Sequence, residues 1–244
     1  MGSGIRPTGL DNATAALRYY ERRQEVVANN LANVNTDGFK GERAFARLLS
    51  DGSTPAIETA TDFRSGPITQ TGAPLDLALG RGGFFVAQTG AGERLTRGGS
   101  LHLDDARRLV DQSGNALLAE KDVAGNAGGP IEVPANARTI TVSDSGMVSA
   151  DGKDLGRLRV ENVPAGTRLQ HDAGGLFIPA GARTLVPPED RAVHQGAREE
   201  SNVSSVGSLV DMIAVQRAYA SVQKVISTID SARSIAVTEL AKPN

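Results

Sequence analysis

Residues 211–230, DMIAVQRAYASVQKVISTID, decide the fold. Stepping through them by three and four residues gives Met212, Val215, Tyr219, Val222, Ile226 and Ile229, the apolar seam of an α-helix. Leu209, Ala218 and Val225 widen it. The same spacing recurs near the other end of the chain in Leu10, Ala13, Leu17, Tyr20, Gln24, Val27, Leu31 and Val34, with only Gln24 polar. Arg18, Glu21, Arg22, Arg23 and Glu25 crowd this first seam, so it is narrow in the manner of a coiled coil. Periodicity alone leaves open a second packing, in which both helices lie on a middle domain. A helix from Leu10 to Val34 is about 37 Å long at 1.5 Å per residue, and its C-terminal counterpart is comparable. Pro7 suits a helix start, Ser201 and Asn202 suit the cap of the second helix, and Asp37-Gly38 ends the first region as a turn.

Between these ends glycine and proline become frequent, and the pattern changes to short strands. Leu75, Leu77 and Leu79 alternate with Asp76 and Ala78, and Phe84-Phe85-Val86 runs into the break Thr89-Gly90-Ala91-Gly92-Glu93 before Leu95. Further strands are expected at 101–103, 109–110, 139–142, 147–148, 158–163 and 176–178. Residues 49–71 are rich in Ser, Thr, Gly and Pro and lack periodicity, which reads as an extended arm. The expected class is α+β. Residues 1–35 give the first helix, 36–73 a linker arm, 74–200 a central all-β domain and 201–244 the second helix, paired with the first in a coiled-coil-like domain.

Composition excludes several functions. The 244 residues carry a formal net charge of -2 and no long basic run, so no footprint for nucleic acid is present. There is no cysteine, which removes disulfides, thiolate metal sites and cysteine nucleophiles. The N-terminal residues lack the basic end and apolar run of a secretory signal, Met1 to Gly4 read equally as an added remnant, and no stretch approaches the roughly 20 apolar residues of a membrane span. Export, if it occurs, is expected by a route without a cleavable signal, and membrane insertion is not expected.

Catalytic chemistry is equally thin. His102, His171 and His194 are far apart and lack metal-ligand spacing, so exposed positions are expected. Gly80-Arg81-Gly82-Gly83 and the cluster from Gly125 to Gly129 match no phosphate loop and read as turns. Asp104-Asp105 and Glu199-Glu200 are expected on solvated surface, since adjacent strand residues point to opposite faces. Asp144-Ser145-Gly146 reads as a turn. No enzyme, cofactor or metal is expected. A small β-domain hydrolase or carbohydrate-binding module stands as the reading from a different class.

Residues 28–40, ANNLANVNTDGFK, closely resemble a signature of the flagellar rod and hook family, carried here by Asn29, Asn30, Leu31, Asn33, Gly38 and Phe39. Residues 74–86, PLDLALGRGGFFV, and 95–101, LTRGGSL, are similar to its D-x-A-x-x-G-x-G-F-F and Y-T-R-x-G-x-F patterns, with Leu95 and Leu101 replacing aromatics. Glu200-Ser201-Asn202-Val203 and the run through Met212, Gln216, Arg217 and Tyr219 resemble its E-x-S-N-V and M-I-x-x-Q-R-A-Y patterns. Residues 104–109, DDARRL, depart from the family's D-x-x-G-x-L turn, so this hairpin is expected to be built differently.

The resemblance implies a structural subunit of the flagellar rod. The short 49–71 stretch favours a proximal over a distal rod subunit, although the Gln216 to Tyr219 run also suits the distal one. It further implies subunit contacts through Leu10, Leu17, Tyr20, Val27, Leu31, Val34, Met212, Val215, Tyr219, Val222, Ile226 and Ile229. Expected partners are copies of itself, neighbouring rod proteins and the flagellar export apparatus, and the expected location is the basal-body rod on the periplasmic side.

Overall fold

The structure is a computed structural model and describes residues 9–47, 55–120, 128–164, 167 and 169–240. Pro7, the start of the cluster at Gly125 and Met1 to Gly4 lie outside the described residues. The chain divides into two units, each described by itself. The architecture is α+β, with a helix at each end and a β-rich middle.

The first unit takes helix α1 (Gly9–Ala32), the chain through 42–62 and helix α2 (Ser205–Leu240). Helix α1 lies against α2 and against the strand Glu42–Arg47, which forms an antiparallel hairpin with Ala56–Thr61. Two strands thus occupy part of the stretch expected to be an irregular arm, and a third, Ile68–Gln70, follows. Their polar composition, with few apolar residues in alternation, explains why no periodicity marks them. In α2 the 36 residues contain no proline, and one glycine, Gly207, stands in the first turn. The cap differs from the expected one. Ser204 Oγ accepts the Gly207 N–H at 3.2 Å, and its carbonyl accepts the Ser208 N–H at 2.8 Å. Ser201 and Asn202 are engaged elsewhere.

The second unit takes Asn33–Gly41 and Phe63–Val203. Its nine-stranded sheet centres on the hairpin Phe84–Thr89 and Gly92–Thr96, and every strand pairing is antiparallel. A three-stranded sheet (Ile140–Val142, Met147–Ala150, Lys153–Arg157) and two ribbons, Leu77–Leu79 with Val193–Gln195 and Ile68–Gln70 with Ala197–Glu199, complete it. Phe85 enters one apolar cluster with Leu77, Leu117, Val148 and Leu158, while Phe84 and Val86 enter another with Leu95 and Phe177. A strand covered on both faces reads as a continuous apolar run, which is why Phe84-Phe85-Val86 does not alternate.

The hairpin at Asp104 corrects one expectation. His102–Leu103 pairs with Leu109–Val110, and Arg107 stands where the D-x-x-G-x-L turn has glycine. Its φ of 62° is the left-handed conformation that glycine adopts without penalty. Asp104 holds the turn by accepting from Arg108 N at 2.8 Å and Nε at 2.8 Å. The backbone of the turn is therefore kept in spite of the substitution. Gly146, with φ 82°, donates to Ser143 O at 2.8 Å in the turn read from Asp144-Ser145-Gly146.

Candidate functional site

In the first unit, α1 and α2 use their surfaces differently. Leu10, Leu17, Tyr20 and Leu31 are half-buried and Val27 is buried, whereas Arg18, Glu21, Arg22, Glu25, Ala28 and Asn29 are exposed. That is a one-sided helix. On α2, Val215 is buried and Met212, Tyr219, Val222, Ile226 and Ile229 are half-buried, and Tyr219 Oη donates to Glu21 Oε1 at 3.2 Å. The rest of α2 is not uniformly polar: Val206 is 70% exposed, Leu209 50%, Val210 61% and Ile213 51%. Val206, Val210 and Ile213 each precede a residue of the half-buried stripe (Val215, Tyr219, Val222) by nine positions. Nine residues are two and a half turns at about 3.6 residues per turn, so the two stripes lie on opposite faces. Gln216 and Arg217 are exposed on the same helix, and Val34 falls beyond the end of α1.

Asn30 explains one signature position. Its Nδ2 donates to Glu42 O at 2.8 Å and its Oδ1 accepts from Glu42 N at 2.9 Å. The carboxamide thereby pairs with main chain as a neighbouring strand would.

The second unit contains a buried charge cluster. Glu199 is fully buried, Lys40 is 1% exposed and Arg97 3%. Lys40 Nζ donates to Glu199 Oε1 and, at 3.0 Å, to Arg64 O. Arg97 Nη2 lies 2.7 Å from Glu199 Oε2, and Gly66 N donates to Oε1 at 2.9 Å. Arg97 Nη1 donates to Gly83 O at 2.7 Å and Arg81 O at 2.8 Å. Buried charge is tolerated because the partners and hydrogen bonds converge on it. The expectation that the Glu199-Glu200 pair is solvated is overturned for Glu199: only Glu200 is exposed. Glu199 is also the residue that occupies the first position of E-x-S-N-V, one place before the residue first aligned to it.

The same region uses Gly38, Phe39, Ser201 and Asn202. Gly38 has φ 67°, donates to Glu199 O at 2.7 Å, and a Cβ there would stand 2.3 Å from the Arg97 carbonyl carbon. Phe39 is buried beside His171, with ring centroids 5.4 Å apart, and His171 lies 4.6 Å from Phe177. His171 is thus half-buried, contrary to expectation, while His102 and His194 are exposed. Asn202 Oδ1 accepts from Gly41 N at 2.8 Å, and Nδ2 donates to Arg64 O at 3.0 Å. Asn33 Oδ1 accepts from Thr36 Oγ1 at 3.2 Å.

On the sheet, Glu93, Arg159, Glu161 and Arg183 close a four-membered ring of ion pairs. Burial raises the Glu93 pKa, but hydrogen bonds from Arg159 and then Arg183 outweigh it and hold the carboxyl below its ordinary 4.5. Sequence reasoning found neither this ring nor the buried cluster. The available signal was that Lys40 and Arg97 lie inside the matched strings GFK and LTRGG. Among the described residues, no group of three or more histidine, aspartate or glutamate side chains is placed to hold a metal ion, and no helix is long and apolar enough to cross a membrane.

Comparison with known proteins assigns these features to one family. Residues 10–40 match the family model "Flagella basal body rod protein", residues 79–150 "Flagellar hook protein FlgE/F/G D1 domain", and residues 194–238 "Flagellar basal body rod FlgEFG protein C-terminal". The flagellar basal-body rod protein FlgF of Caulobacter vibrioides is 34% identical over 91% of this chain and 94% of its own length. FlgF of Escherichia coli is 33% identical over 85% of this chain and 88% of its own length. FlgG of Bacillus subtilis is 29% identical over 91% and 94%. The chain belongs to the flagellar basal-body rod protein family.

Proposed function

We propose that the chain polymerises through its terminal helices into the basal-body rod, in the proximal, FlgF-like position. It is a structural subunit and not an enzyme. The FlgF proteins of Caulobacter vibrioides and Escherichia coli, at 34% and 33% identity, exceed the 30% of the FlgG of Caulobacter vibrioides, which supports the proximal position.

The observation that carries the reading is the second apolar stripe of α2. A helix that is apolar on opposite faces is stable in water only when both are covered. Coiled-coil-like pairing with α1 covers the stripe through Met212 and Ile226, and contacts with neighbouring subunits cover Val206, Val210 and Ile213. The seam residues from Leu10 to Val34 act with α2 in setting these contacts, and the stretch 36–73 serves as an arm toward neighbours. A heterologous contact whose rotation does not close gives the open helical assembly a rod requires. Each Val, Leu or Ile taken from water contributes about 1.5–3 kcal/mol, offset by the entropy of ordering the helices. Partners are copies of the chain and neighbouring rod proteins. Delivery to the periplasmic side runs through the flagellar export apparatus.

Ile226→Asp tests the seam. The variant is expected to retain the β-rich unit, seen as unchanged amide exchange protection of Phe84–Thr89, and to be absent from purified basal bodies. Normal incorporation would sink the proposal.

A further inference from the structure

We infer that residues 193–202 form a strap that closes the second unit last, with Glu199 as its latch, so that the unit is completed only in a chain carrying both of its ends. The strap runs along segments from the beginning of the unit. Val193–Gln195 pairs with Leu77–Leu79, and Ala197–Glu199 pairs with Ile68–Gln70. Gly196 N donates to Asp76 O at 2.8 Å, Glu200 N to Pro67 O at 2.8 Å and Asn202 N to Phe39 O at 3.2 Å. In the other direction, Thr71 N donates to Gly196 O and Gly38 N to Glu199 O, each at 2.7 Å. All these residues belong to the second unit.

Two physical terms put the strap last. The first is chain entropy. Thr89 pairs with Gly92 across a two-residue turn, whereas Glu199 lies 159 residues from Lys40 and 133 from Gly66. Closing a loop costs more as it lengthens, so the hairpin Phe84–Thr89 with Gly92–Thr96 forms ahead of the strap contacts. The second is desolvation. Lys40 and Arg97 are enclosed facing the same buried carboxylate, Glu199. Until that anion arrives, enclosing them would leave two cations unpaired, so both stay in water and hold their segments open. Glu199 then gathers three segments at once: its carboxylate meets Lys40, Arg97 and Gly66 N, and its carbonyl meets Gly38 N. A chain lacking either Lys40 or Glu199 with its flanks has no means of enclosing the rest of the cluster. The latch thus checks that the chain is long enough to finish the unit.

The test is pulse-labelled amide exchange during refolding of the intact chain from urea. Amides of Phe84–Thr89 are expected to become protected about tenfold sooner than those of Gly38, Gly66, Thr71 and Glu200, which gain protection together. Protection of both groups at one rate overturns the inference. Glu199→Gln, refolded in the same way, separates a latch from a residue on which the whole unit depends. Its hairpin amides are expected to become protected at the unmodified rate, while the strap amides end about tenfold less protected than in the unmodified chain. Slowing of the hairpin, or strap protection at the unmodified level, also overturns the inference. The device concerns the second unit alone, so either failure leaves the rod assignment intact, whereas absence of the unmodified chain from basal bodies would overturn that assignment and not the latch.

Discussion

The β-rich unit and α2 treat apolar side chains in opposite ways. In the former, Phe85, Val86, Leu95, Leu117, Leu158 and Phe177 are fully buried, and even the charges of Lys40, Arg97 and Glu199 are enclosed with their partners. On α2, Val206, Val210 and Ile213 remain more than half exposed although the opposite stripe is partly covered. The first pattern belongs to a unit completed by its own chain. On the proposed function, the second belongs to an element completed by a neighbouring subunit.

The largest effect that can break this contrast is on assembly alone. Val210→Asp places a charge on the outer stripe at a position 61% exposed. It is expected to abolish recovery of the chain in basal bodies while shifting the urea unfolding free energy by less than about 0.5 kcal/mol. A strongly destabilised variant would show that the stripe is already in use within the chain. Next is Glu199→Gln, which leaves Lys40 and Arg97 buried without their anion. Its expected cost is about 3–5 kcal/mol in urea titration, the reverse of the Val210 pattern. A neutral result would mean that the cluster is open to water.

A smaller effect sharpens the comparison from the opposite sign. Arg107→Gly should stabilise the β-rich unit by about 1 kcal/mol, because glycine takes the left-handed turn without the cost that arginine bears. A loss of stability would show that the Arg107 hydrogen bond to Pro134 O outweighs the backbone strain. The smallest concerns acid. The Glu93 carboxyl has a depressed pKa in the folded state, so its ion pairs stabilise the fold above the ordinary value of 4.5. That contribution is lost as pH falls through the depressed value. Glu93→Gln should therefore flatten the acid side of the stability profile by under about 1 kcal/mol, measured by thermal melts from pH 6 downward.

Much of this was legible from residue order. Both helices show because eight positions in the first and six in the second repeat the same three-four spacing, and the central hairpin shows because apolar runs flank a glycine turn. The strand Ile68–Gln70 did not show, since its exposed side chains carry no alternation and its partner, Ala197–Glu199, lies far along the chain. Glu199 looked like surface for a similar reason: whether a carboxylate is buried depends on Lys40 and Arg97, which neither precede nor follow it closely. Arg107 misled in the opposite direction. Its side chain broke the family pattern, but the backbone conformation that the pattern encodes survived. The second stripe of α2 was written in the sequence too, and only the burial of the first stripe separates the two roles.

Amide hydrogen exchange, read on the free subunit and on the subunit in assembled rods, tests the central claim most directly. The account predicts that amides of Phe84–Thr89 are slow in both states, whereas those of α2 from Val206 to Ile229 exchange readily in the free subunit and become protected in the rod. Equal protection of α2 in both states would contradict it, because the outer stripe would then need no neighbour.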